Sequence, residues 1–168
     1  MNGPEPSWLD GFLSRSRFEL FFASLASQHG GFDVLRLPGD MWPNLYLLSV
    51  GEDGSLSVVV AGDNLSATFS KGLKGCDLTS FMHGPQSSHV IDAYRRCVSD
   101  RVCICMRKQV HLQDKGLARL VEGAIAPLIE NGQVRKIVGC LYLYELNDKD
   151  GSSLGDIYRA RPCAADAV

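Results

Sequence analysis

No stretch of this sequence approaches the roughly 20 consecutive apolar residues that a membrane-crossing helix needs, so nothing in it reads as a transmembrane span. An excess of charge of either sign is also missing: 17 Lys and Arg face 19 Asp and Glu, for a net charge of -2. Without a clustered basic face, neither nucleic acid nor an anionic membrane is an implied partner. The start, Met-Asn-Gly-Pro-Glu-Pro-Ser-Trp, lacks the basic residues and continuous apolar run of a secretory signal, and the expected location is the cytoplasm. Catalytic signatures are missing too. There is no Gly-x-Ser-x-Gly, no Walker loop and no metalloprotease helix, and Gly62-Asp63-Asn64 reads as an ordinary helix start, so the chain is not expected to be an enzyme and offers no catalytic residues. Six cysteines are present, Cys76, Cys97, Cys103, Cys105, Cys140 and Cys163, but no Cys-x-x-Cys or His-x-x-x-His completes a zinc set. Five of them lie in apolar segments, where a reduced thiol behaves as a small hydrophobe, and no metal site is expected.

What is there is ordinary globular material, 45% apolar and 21% charged over 168 residues, enough for one domain with a core. Phe18, Phe21, Phe22 and Leu25 recur at helical spacing between Ser14 and Gln28, and Gly30-Gly31 supplies a stop. Leu45 to Val50 and Ser55 to Val60 read as two strands joined by Glu52-Asp53-Gly54, an antiparallel hairpin. A short helix follows around Leu65 to Phe69, then Gly72, Gly75, Gly84 and Pro85 punctuate an irregular stretch. A longer helix from Gln86 carries Val90, Ile91, Tyr94, Cys97 and Val98 as one apolar stripe. Three long strands close the pattern, Val102 to Leu112, Leu117 to Leu128 and Val134 to Leu146, connected by Asp114-Lys115-Gly116 and Glu130-Asn131-Gly132. In the last of them Ile137, Leu141 and Leu143 alternate with Val138, Cys140 and Tyr142, so both faces of the sheet need cover.

The order of helix, two strands, short helices, a longer helix and three strands gives an α+β fold, a five-stranded antiparallel sheet with its short helices between strands two and three. Ala61-Gly62-Asp63-Asn64-Leu65, Gly72-Leu73-Lys74-Gly75-Cys76-Asp77-Leu78 and Ala126-Pro127-Leu128 match the "a-G-x-x-L", "G-x-x-L-x-G-x-D-L" and "P-L" patterns of a known family. On these residues the chain resembles the bacterial single-domain PAS (Per-Arnt-Sim) proteins over roughly Phe32 to Leu146. The implied organisation is an N-terminal helical lead-in over 1–31, including Trp8, a PAS domain over 32–146, and a flexible tail over 147–168.

The resemblance implies a sensory or regulatory module in signal transduction that binds a small ligand, a signalling protein, or both; the alternative is a ligand-free dimerisation module. Its pocket would lie between the sheet and the short helices, lined by Phe69, Leu73, Leu78, Phe81, Ile91, Tyr94 and Leu141. No cofactor is required. His89, near the start of the longer helix, is the one haem-ligand candidate, with His83, His29 and His111 weaker. Cys76 lacks the Asn-Cys-Arg-Phe-Leu-Gln setting of a flavin-adduct cysteine and reads as a turn or core thiol. The N-terminal helix, through Phe18, Phe21, Phe22 and Leu25, is expected to cover the sheet's outer face and to help form a homodimer.

Overall fold

The computed structural model describes residues 7–69, 72–80, 87–112, 117–145 and 155–163. Helix α1 spans Arg15–Ala26, strands β1 and β2 Leu45–Val50 and Leu56–Ala61, helix α2 Asp63–Thr68 and helix α3 Ser87–Ser99. Strands β3, β4 and β5 follow as Val102–Leu112, Leu117–Glu130 and Gln133–Glu145, and β6 as Ile157–Pro162. The strands form a single six-stranded sheet in the order β2-β1-β5-β4-β3-β6, antiparallel at every pairing.

Local chemistry accounts for the sheet's joints. Asn131 and Gly132 stand at φ 52° and 77° between the paired Glu130 and Gln133, the left-handed conformation that a two-residue hairpin turn requires. Pro127, which cannot donate to a ladder, sits on β4 beyond Ile125, the last residue of that strand paired with β3. The sixth strand is a departure from the five expected. Ile157 to Pro162, read from sequence as part of a mobile tail, pairs with β3 from Arg107 back to Val102. Residues 146–154 and 164–168 lie outside the described residues.

The two faces of the sheet bury separate cores. On the inner face, Tyr46, Leu48, Ile104, Met106, Ile125 and Ile137 pack with Leu65, Leu73 and Leu78 and with Ala93, Tyr94 and Cys97 of α3. On the outer face, Leu45, Cys105, Ala124, Ala126, Val138, Cys140 and Tyr142 pack under Leu9, Phe12, Phe18, Phe21 and Leu25. The alternation in β5 is therefore the division expected: Ile137 faces α3 while Val138, Cys140 and Tyr142 face α1.

Helix α1 covers the outer face within its own chain. Phe18 and Phe21 are fully buried there, Leu25 nearly so, and Phe22 is partly buried. This corrects the expectation of a dimer interface at Phe18, Phe21 and Leu25, because the sheet already occupies the side chains that a second copy would have to meet, whereas Phe22 keeps part of its surface exposed. The apolar residues left exposed nearby are Leu13 and Leu20.

Candidate functional site

Five of the seven positions expected to line a ligand pocket belong to the inner-face core. Leu73, Leu78 and Tyr94 are buried, and Phe69 and Leu141 pack against them. Ile91 is half-buried on α3 and outside this cluster; the helix turns Val90, Ala93, Tyr94 and Cys97 inward instead. Phe81 and His83 lie outside the described residues, as does the side chain of His111. His89 is exposed on α3, which corrects the haem candidate: its imidazole is at the surface and not among the inner-face residues. Cys76 is a turn thiol, donating to the Gly72 carbonyl at 3.1 Å, while its own carbonyl accepts from the Val58 N–H.

At the centre of the inner face the hydroxyls of Tyr46 and Tyr94 meet at 2.5 Å, tying β1 to α3. Burial pushes both phenols up, Tyr94 to about 12 and Tyr46 well above its ordinary value, so the pair is neutral across the physiological range. The Tyr46 ring fits because its cross-strand neighbour is Gly139: a Cβ there would meet the ring at 2.3 Å. Gly139→Ala must displace the ring and is expected to cost about 1–3 kcal/mol. Chemical denaturation checks this against Gly155→Ala, where a Cβ meets nothing within 4 Å and the change should stay within about 0.5 kcal/mol.

The chemistry not foreseen from sequence is on the outer face. Arg107 on β3 and Glu122 on β4 are direct cross-strand neighbours, and their side chains, 4% and 0% exposed, form an ion pair at 2.8 Å. Glu122 also accepts the backbone N–H of Leu13 at 3.1 Å and of Ser14 at 2.7 Å. A buried carboxylate so placed satisfies donors that the start of α1 leaves without intrahelical partners, and favours the positive end of the helix. Arg107 in turn donates to the Gly11 carbonyl, and Arg159 on β6 donates to the carbonyls of Asp10 and, at 2.9 Å, Trp8. Ser14 and Tyr144 add a hydroxyl contact at 2.6 Å. Residues 8–14 are thus clasped to the sheet by charge and by backbone groups, beside the apolar contact of α1.

One end of the clasp opens into a cavity of about 400 Å³, bounded by Trp8, Phe22, Leu25, Leu128, Arg161, Cys103 and Cys163, among others. Its lining is drawn from the N-terminal segment, from β4 and from the β3–β6 edge, so it would change shape if that segment moved. This cavity lies on the face of the sheet opposite the one where a ligand pocket is expected from sequence. Among the described residues no group of three or more His, Cys, Asp or Glu could hold a metal ion, and no helix is long and apolar enough to cross a membrane.

The strand order with helices α2 and α3 between β2 and β3, and with an N-terminal helix across the other face, is that of a PAS domain. A point variant of Vivid has the same architecture: it superposes with a TM-score of 0.51 at 12% identity, covering 86% of this chain and all of that one (100%). A fungal LOV-domain photoreceptor is 19% identical, with a TM-score of 0.49 over 83% of this chain and 100% of that one. A Rhodobacter sphaeroides LOV protein is 12% identical, with a TM-score of 0.48 over 83% and 72%. No protein-family profile and no curated protein matches the sequence. The chain has a PAS fold, and at these identities the likeness speaks for the fold alone.

Proposed function

We propose that this chain is a regulatory PAS module that relays a signal to a partner protein by releasing and recapturing its N-terminal segment, residues 7–26, from the outer face of the sheet. The observation that carries this reading is the way the segment is held. A buried Arg107–Glu122 pair is no better for stability than well-packed apolar residues, but it loses much of its value when one partner is changed, which makes it suited to a contact that switches. Helix α1 and the six-stranded sheet each keep their own hydrogen-bonded structure, so the segment can leave without breaking a strand. The outer-face core that release would uncover, Ala124, Ala126, Val138 and Cys140 among it, is an apolar sheet surface of the kind that another helix or a second copy of the chain could cover.

Limited proteolysis tests this reading. Glu122→Gln should speed cleavage within residues 7–31 by about tenfold, while a fragment beginning near Phe32 persists. Digestion of the whole chain with no persisting fragment would show the segment to be an inseparable part of the core.

A second reading is favoured by the outer cavity. At about 400 Å³ it is the size of a small-molecule site, and Trp8 and Phe22 in its wall, with ring centroids 5.1 Å apart, suit an apolar ligand. Such a ligand would contact both the segment and the sheet, and would shift the balance between held and released forms by its preference for one of them.

A further inference from the structure

Cys103 on β3 and Cys163 just past β6 are 60 residues apart in sequence, yet their sulfurs lie 2.6 Å from each other. The β3–β6 ladder brings them together: Cys103 pairs with Arg161, and Cys163 is two residues further along, on the same side. Both residues are half-buried and both belong to the lining of the outer cavity. The other cysteines differ. Cys97, Cys105 and Cys140 are buried in the cores, where burial pushes their thiols far up, and Cys76 is engaged by the Gly72 carbonyl. In the pair, the shared sulfur contact holds the Cys163 thiol below its ordinary value, while the same contact and burial raise Cys103.

We propose that Cys103 and Cys163 are a redox-active dithiol that closes reversibly to a disulfide when a hydroperoxide enters the outer cavity, with Cys163 as the attacking and Cys103 as the resolving thiol. The Cys163 thiolate attacks the terminal oxygen of the hydroperoxide ROOH, the O–O bond breaks, ROH leaves with a proton, and Cys163 becomes a sulfenic acid. Cys103 then attacks that sulfur, its proton and the sulfenic hydroxyl leave as water, and the S–S bond forms. Two thiols and one hydroperoxide give one disulfide, one alcohol and one water; an external dithiol reverses the step. The apolar wall formed by Trp8, Phe22, Leu25 and Leu128 selects an apolar hydroperoxide over hydrogen peroxide. The bond would pin the end of β6, the strand whose Arg159 holds the Trp8 and Asp10 carbonyls. The inference rests on the sulfur pair and on the cavity as it stands with the N-terminal segment docked, and does not depend on the proposed release.

The test treats the fully reduced full-length protein with one equivalent of cumene hydroperoxide or of hydrogen peroxide, followed by intact mass and non-reducing peptide mapping. The expected result is a loss of about 2 Da, two hydrogens, that dithiothreitol restores, with the cross-link mapped to Cys103 and Cys163. Cumene hydroperoxide should react faster by about tenfold or more. Cys103→Ser should leave a dimedone-trappable sulfenic acid on Cys163, whereas Cys163→Ser should leave no rapid reaction. Circular dichroism of both variants confirms that they are folded. Absence of the cross-link, or irreversible oxidation of Cys163 without it, overturns the dithiol; equal rates for the two peroxides overturn the role of the cavity.

Discussion

Glu122→Ala is expected to destabilise the protein by about 3–5 kcal/mol, because it leaves the Arg107 guanidinium buried without a counter-charge and removes the acceptor of the Leu13 and Ser14 N–H groups. Equilibrium denaturation would show the loss as a lowered midpoint. Arg107→Met combined with Glu122→Leu should recover most of it, since neither charge is then left buried and both apolar side chains fit the face that already holds Phe12 and Cys105. If Glu122→Ala costs less than about 1 kcal/mol, the clasp is no more than a surface-grade ion pair.

Phe21→Ala is expected to cost about 3–5 kcal/mol, as a fully buried aromatic in a two-sided core leaves a cavity that helix and sheet cannot both close. Phe21 also stands edge-on to Phe22, with ring centroids 5.1 Å apart, so the substitution loosens the wall of the outer cavity as well. Leu20→Ala, one residue away and 46% exposed, should change stability by less than about 0.5 kcal/mol. That contrast separates a helix packed on its own sheet from one whose apolar residues await a second copy. Were Leu20→Ala and Phe21→Ala alike, the helix would not be docked as described.

Most of the framework is legible in the sequence because it is local. The apolar stripe of α1, the period-two alternation of β5 and the Asn131-Gly132 turn are each set by residues within a few positions of one another. The stripe of α3 is legible to within one residue: Ile91 was as apolar as Val90, and which of them faces the core depends on Ala93, too small to weigh in a sequence pattern. Strand β6 is hidden by its composition. Ile157, Arg159 and Arg161 share one side and Tyr158 and Ala160 the other, a short alternation whose arginines look like a solvated tail until Trp8 and Asp10 are found beneath them.

The clasp was accessible in principle. Counting outward from the pairing of Leu112 with Leu117 brings Arg107 opposite Glu122, two opposite charges near the strand centres. Which face they share, and that this face is covered by α1, depends on tertiary packing. The approach of Cys103 to Cys163 needs the β3–β6 pairing itself, which no local pattern encodes.

The proposed relay requires that residues 7–26 form a separable unit on the PAS sheet. Native-state hydrogen exchange of the unaltered protein, followed through low concentrations of denaturant, tests it most directly. Amides of Phe18 to Leu25 should exchange through a sub-global opening, well below the free energy at which amides of the central strands β4 and β5 exchange. If the α1 amides and the β4 and β5 amides exchange together, through global unfolding alone, the segment is not a separable unit and the proposed relay is contradicted.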